Sequence, residues 1–272
     1  MKTRYFVFLL LLFFLSCKVP FVQFKEEYLP SYQLKNNIAE IICYHSIYHL
    51  KDTTYYYLNN KNYISKSISR SNYLIDTTYY FYNPSNKLIR LENYSYKKES
   101  NKASKITVVE QKFDHRNNLI NTTFYENGIL KNSTDIVRNS KTHNTESVYF
   151  QKIDKSVNLS KTDYIYNYKK RSVSILNESE VSKLYMRHFF NKKGLIIKDQ
   201  FIDKETDSIS MSIIKEYDKK KNIAKKLVIS KKGTQTSIYK YEYDENDNII
   251  KSQEFLNDKL FEEYIYTYKY KL

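Results

Sequence analysis

Cys43, His45 and His49, with Glu40 nearby, form the one group whose types and spacing resemble metal ligands. On a helix the two histidines would share a face; on a strand Cys43, His45 and His49 would. No second ligand pair with matching spacing follows, so neither metal nor cofactor is expected. His115 falls inside a predicted turn, and His143 and His188 stand alone in the chain. Acid pairs such as Glu262-Glu263 and Asp244-Glu245 point opposite ways on a strand or sit in a turn, so they do not converge for proton transfer. Only three glycines occur, Gly128, Gly194 and Gly233. That scatter excludes a phosphate-binding loop, a dinucleotide fingerprint and a nucleophile elbow, each of which needs clustered glycine. A non-enzymatic protein is the expectation.

What remains for recognition is aromatic and basic. The 272 residues include 29 Tyr and 15 Phe but no Trp. A tyrosine ring stacks on apolar surface while its hydroxyl bonds polar groups, which suits carbohydrate or peptide. Where tyrosine alternates with charge, as at Tyr239, Tyr241 and Tyr243, the simpler reading is the core-facing residue of a thin, half-wet sheet. Consecutive aromatics are different, because they must face both sides of a strand. Tyr55, Tyr56, Tyr57, Tyr79, Tyr80 and Tyr82 are therefore the candidate ligand-binding residues. Lys and Arg number 45 against 30 acids, a formal charge of +15. The interleaving at Tyr268-Lys269-Tyr270-Lys271 suits a single-strand binder, but lysines solvated on an outer strand face explain it more simply. No nucleic-acid partner is expected.

The elements that must carry these residues repeat. An aromatic or apolar residue is followed by Asp or Asn, three spacers, Asn and then Leu or Ile. The unit occurs at 113–119, 153–159, 217–223 and 243–249, with a looser copy at 82–88 and one at 190–195 that reads as a residue shorter. Successive Asp/Asn starts lie 31, 40, 37, 27 and 26 residues apart. Asp or Asn at the start accepts backbone N–H bonds, and Asn or Gly at the last position is expected to take the left-handed conformation that returns the chain to extended geometry. Between the units fall second turns at 126–128, 231–233 and 257–259. Flanking tyrosines at 164, 166 and 168, and at 264, 266, 268 and 270, keep the period of two expected for strands. Strand, turn, strand, turn is a meander. The fold class is all-β: an antiparallel β-meander of tandem hairpins, as a single curved sheet or an open barrel-like array.

The beginning of the chain is an address. Lys2 and Arg4 precede an uncharged apolar run from Tyr5 to Leu15, the length of a signal-peptide core and short for a membrane span. Leu15-Ser16-Cys17 resembles the lipobox of bacterial lipoproteins, with Phe14 where that family has Leu. The resemblance implies cleavage before Cys17 and lipidation of its sulfur. Removing Lys2 and Arg4 lowers the formal charge to +13. Cys43 would then be the single free thiol, with no intrachain disulfide. Lys18 rather than Asp follows the anchor, which by analogy favours the outer membrane.

The stretch 241–250, Tyr-Glu-Tyr-Asp-Glu-Asn-Asp-Asn-Ile-Ile, resembles a YD repeat, the Tyr-Asp hairpin unit of Rhs-type proteins; with the lipobox, the chain resembles small Bacteroidota-type lipoproteins carrying such units. The likeness covers about residues 75–270 and lacks most of the repeat's glycines. It implies no catalytic residue, and 272 residues are too few for the toxin-enclosing shell of large Rhs proteins. Three segments are expected: signal peptide 1–16, lipidated Cys and tether 17–35, and a repeat β domain 36–272 with turns near 83–87, 114–118, 154–158, 191–194, 218–222 and 244–248. Residues 36–50 read equally as helix or strand. The functional expectation is a membrane-anchored lipoprotein, a binding or structural module of the cell envelope whose Tyr-rich sheet face contacts glycan, peptide or protein. The alternative is a periplasmic immunity or envelope-maintenance protein with one protein partner.

Overall fold

The computed structural model of the chain describes residues 37–271 except 48–49, 99–101, 140–144, 153–157, 179–182 and 204–205. The signal peptide, Cys17 and the whole of the tether lie outside the described residues. Eighteen strands follow one another with no helix among the described residues. The first six are β1 (Ile38–Ile47), β2 (Leu50–Leu58), β3 (Ile64–Arg70), β4 (Leu74–Tyr82), β5 (Leu88–Lys97) and β6 (Ala103–Phe113). Then come β7 (Leu119–Glu126), β8 (Ile129–Arg138), β9 (Thr145–Lys152), β10 (Asn158–Asn167), β11 (Ser172–Glu178) and β12 (Lys183–Phe190). The last six are β13 (Ile196–Ile202), β14 (Ile209–Tyr217), β15 (Ile223–Ser230), β16 (Gly233–Tyr243), β17 (Ile249–Leu256) and β18 (Lys259–Tyr270). The segment that reads equally as helix or strand is thus strand, in β1 and the start of β2.

Each strand pairs antiparallel with its neighbours in sequence. The ring then closes where β18 meets β1, Ile41 opposite Tyr268 and Cys43 opposite Tyr266. The all-β antiparallel meander is as expected, and the array, expected as a curved sheet or open and barrel-like, is a closed ring: closure removes the two unpaired edges that an open sheet would expose to association. All eighteen pairings lie within residues 38–270, so the barrel closes on its own without the preceding segment.

Directly paired residues share a face, so the registers carry one set of side chains around the ring and back to itself. Most of the least exposed side chains, Ile41, Cys43, Ile136, Val148, Val173 and Ile175 among them, belong to one face. It is the concave face, where side chains converge and shield one another. An apolar cluster built on Leu119, Ile136, Val148, Tyr164, Val173, Ile175 and Phe190 lines it across β7 to β12. The outward face mixes charge with exposed apolar side chains: Arg90 bonds Glu92 and Glu110 across β5 and β6 and Lys161 pairs with Asp163 on β10, while Tyr44, Phe81, Ile165 and Ile265 also face out.

The two rims differ in turn chemistry. One is made by tight connections such as Asn127-Gly128 and Asn257-Asp258, whose residues all have positive φ, the pattern of two-residue type I′ hairpins. The other rim is made by five-residue Asp/Asn turns. In the 114–118 turn Asp114 N–H donates to Asn118 O (2.9 Å) and Asn117 N–H donates to Asp114 O (3.0 Å). The same pair of bonds closes the turns at 83–87, 191–195, 218–222 and 244–248, and an equivalent pair closes 59–63. The left-handed residue is the fourth, not the last: Asn62, Asn86, Asn117, Gly194, Lys221 and Asp247. That is a type I turn followed by an αL residue. The final Asn has a different task. Asn118, Asn222 and Asn248 each donate both N–H and Nδ2–H to the aspartate that opens the turn. Leu195 takes that closing position at 191–195, donating its N–H to Asn191 Oδ1, so this copy is of full length. The unit read at 153–159 lies largely outside the described residues, but it joins β9 to β10 and so belongs to the opposite rim.

Candidate functional site: the inward face of the barrel

At the Asp/Asn rim the ladders between hairpins stop short. Pairing of β17 with β18 ends at Lys251 opposite Ile265, leaving the Ile249 carbonyl beyond the ladder. The Tyr268 hydroxyl donates to it at 2.7 Å. Equivalent bonds run from Tyr82 to Ile64 O (2.7 Å), Tyr217 to Ile196 O (2.6 Å) and Tyr241 to Ile223 O (3.0 Å). At Leu119 O the donor is Arg138 Nε, 3.1 Å away. Tyr243 and Tyr270 reach the turns themselves, Tyr243 hydroxyl to Asp218 and Tyr270 hydroxyl to Asp244. The repeated tyrosine is therefore a latch between consecutive hairpins. It satisfies a carbonyl that would otherwise go unpaired.

Inside the ring the tyrosines form ladders along single strands. Rings of Tyr264 and Tyr266 on β18 lie 6.3 Å apart and 14° from parallel, and that of Tyr166 near the end of β10 lies 6.2 Å from that of Tyr168 in the turn that follows, at 20°. His45 extends the β18 ladder onto β1, its ring 4.4 Å from that of Tyr264. Between β2 and β5 the inward face is hydroxyl and amide: Thr54 Oγ1–H bonds Ser69, Asn93 Nδ2–H bonds Thr78, and the Ser67 and Tyr80 hydroxyls bond each other at 3.2 Å.

A charged belt crosses the remaining arc. Asp199 is 7% exposed and lies 2.5 Å from His188 Nδ1, while Lys215 Nζ donates to its other oxygen at 2.7 Å. Burial alone would raise the Asp199 carboxyl, but the bonds from His188 and Lys215 outweigh it and hold the group below the usual aspartate value. Lys226 and Glu254 pair at 3.3 Å on β15 and β17. Glu262 accepts from Tyr264 hydroxyl and contacts His45 Nε2, both at 2.8 Å. Burial pushes the Tyr241 and Tyr268 hydroxyls up to about 12 and the Cys43 thiol up to about 11. Cys43 is therefore a packing residue bonded to Tyr266, not a reactive thiolate.

The candidate residues separate accordingly. Tyr56, Tyr80 and Tyr82 face inward, whereas Tyr55, Tyr57 and Tyr79 face out, as alternation along β2 and β4 requires. These six do not converge on one site, and Tyr82 is committed to a latch. Cys43 and His45 share the inward face, but His49 lies outside the described residues. Among the described residues no group of three or more His, Cys, Asp or Glu is placed to hold a metal. Sequence reasoning missed the His188–Asp199–Lys215 group. His188 stands alone in the chain, and its partners come from β13 and β14; the available signal was that all three occupy inward positions of adjoining strands.

No family model matches the chain, and no curated protein does. Among solved structures it is similar to a porin-like protein from Bacteroides uniformis, at 10% identity and a TM-score of 0.45, covering 88% of this chain and 100% of that one. It is also similar to a chain of the Photorhabdus luminescens Tc holotoxin pore and to one of a TcdB2-TccC3-Cdc42 structure, each at 8% identity and a TM-score of 0.28. Those two matches cover 79% of this chain but only 14% of the toxin chains, so the chain spans a small part of their length.

Proposed function

We propose that the protein is a lipid-anchored envelope barrel, working as a binding protein rather than a catalyst, whose inward face takes a hydroxyl-rich ligand of the glycan class. The observation that carries this reading is the inward face itself, where the stacked tyrosines of β18 lie next to the Ser, Thr and Asn side chains of β2 to β5 across the β1 seam. Flat aromatic surface for the carbon face of a sugar, beside neutral donors and acceptors for its hydroxyls, is the chemistry a saccharide requires. The charges within the outward strand faces speak against lipid around the barrel. A membrane-spanning barrel presents an apolar band about 25 Å tall, and the Arg90–Glu92–Glu110 cluster interrupts any such band. The anchor in this reading is the lipid on Cys17.

A second reading, a single protein partner, draws on the outward aromatics of β1 and β4, where Tyr44 is 47% exposed and Phe81 42%. Calorimetric titration of residues 37–272 with neutral hexasaccharides tests the first against the second. Tyr264→Ala with Tyr266→Ala should weaken sugar binding by about tenfold, roughly 1.4 kcal/mol. Tyr79→Ala on the outward face should leave it unchanged. Absence of saccharide binding, or a loss that follows the outward variant, sinks the glycan reading.

A further inference from the structure

The Asp/Asn rim is a cationic surface, and it is the end from which the anchor segment departs. Asn37 O accepts a 2.7 Å bond from Lys271 N–H at this rim, so the chain enters the barrel there. Among the described residues of its strand connections, this rim carries eleven Lys and Arg against five acids. The opposite rim carries four against three. Three of the five acids, Asp114, Asp218 and Asp244, are spent on hydrogen bonds inside their own turns. The charge concentrates on three consecutive turns, which read Lys-Lys-Arg at 169–171, Lys-Lys at 192–193 and Lys-Lys-Lys at 219–221. The lysines at 169, 170, 192, 193 and 219 are exposed. Their backbone is held by the closed turns and the tyrosine latches, so the charges sit on a firm edge rather than on a loose tail. A cleft of about 490 Å³ between two of these turns is lined by Lys192, Lys193 and Lys221, with Glu216 and Asp218 also on its wall.

We infer that this rim docks on an anionic lipid surface and stands the barrel end-on against the membrane. The inference rests on the anchored reading of Cys17. Nineteen residues lie between Cys17 and Asn37, a reach of about 70 Å if extended, so the tether alone sets neither height nor orientation. The charge does, because basic residues near an anionic surface each add to binding within a Debye length. A bound headgroup layer meets the arc of turns 168–171, 191–195 and 218–222, on which Lys220 is already paired with Asp247 of the neighbouring acidic turn, so the lysines at 169, 170, 192 and 193 carry most of the attraction.

The test uses residues 37–272, which close the ring without the anchor, and vesicles of phosphatidylcholine with or without phosphatidylglycerol. Sedimentation should show binding only to the anionic vesicles, falling steeply with salt. Replacing the lysines at 169, 170, 192 and 193 with Gln should weaken it by more than about tenfold. The same change at Lys98, Lys102, Lys231 and Lys232 on the opposite rim should leave it nearly intact. Equal losses from both rims, or no vesicle binding at all, overturn the inference. Binding to a soluble acidic polysaccharide without binding to vesicles also overturns it and assigns the rim to that ligand. Palmitate labelling of the unaltered chain, lost in Cys17→Ser, reports on the anchor separately; a rim that binds vesicles while Cys17 stays unlabelled would fail the anchor and not the docking surface.

Discussion

Asp199 shows how much a single inward residue can hold. It serves His188 and Lys215 at once, and all three lie on the shielded side of the sheet. Removing it by Asp199→Ala leaves two basic groups without their shared partner, a loss of about 3–5 kcal/mol. Its carboxyl is depressed in the folded protein, so the stability it contributes is present above the unfolded value near 4. That contribution fades as pH falls through the lower folded value. Urea unfolding of the wild type should therefore lose stability below about pH 4, and Asp199→Asn should lack that component. If the two proteins keep the same pH dependence, the assignment is wrong. None of this is visible in the order of residues. His188 and Asp199 are eleven apart, a separation that means nothing until a hairpin pairs β12 with β13. The turn residues are the opposite case. Asp114 and Asn118 do their work within five positions, so their role was legible, although the left-handed residue is Asn117 and not the last of the turn.

At the scale of elements, the hairpin is a closed unit with one defect, and the defect explains the tyrosines. Each five-residue turn sits beside a register shift, as at Phe81/Tyr82, Lys112/Phe113, Glu216/Tyr217 and Glu242/Tyr243. The ladder to the next hairpin ends before the rim, and a phenol from that hairpin fills the gap. Alternation of Tyr with charge correctly announced strands with one shielded face. It could not announce the latch, because the acceptor is a backbone carbonyl and carries no sequence signature. Tyr241→Phe and Tyr268→Phe should each destabilise by about 1 kcal/mol. They lie on different strands with different acceptors, so the double variant should lose about the sum. Tyr44→Phe, outward and half exposed, should change little. Denaturant midpoints measure all four, and equal effects at Tyr44 and Tyr268 would dismiss the latch.

The whole molecule depends on tyrosines remaining neutral. Burial raises the hydroxyls of Tyr82, Tyr241, Tyr264, Tyr266 and Tyr268 above their ordinary value. A group raised on folding contributes stability below its unfolded value near 10 and loses that contribution as pH climbs through the folded one. The barrel should therefore open cooperatively at alkaline pH. Tyrosinate absorbance from the inward ladders should then rise together with the loss of the β signal in circular dichroism. Ladders that ionise while the β signal persists would show that these rings are not what keeps the wall intact. Closure itself was beyond the reach of sequence, since an open meander and a ring share every hairpin. The deciding contact is Ile38 with Tyr270, between the two ends of the described chain.

That contact also sets the order of events in time. Seventeen of the pairings join strands adjacent along the chain and can form as soon as each hairpin emerges, with little chain to organise. The eighteenth joins Glu40 to Lys269 and must wait for the last strand. The entropy of bringing such distant ends together rises only slowly with the length between them, so the seam is late rather than difficult. Until β18 arrives, β1 presents a bare strand edge to whatever surrounds it. The newest strand is bare on its far side in the same way, and one event, the meeting of β1 with β18, removes both edges.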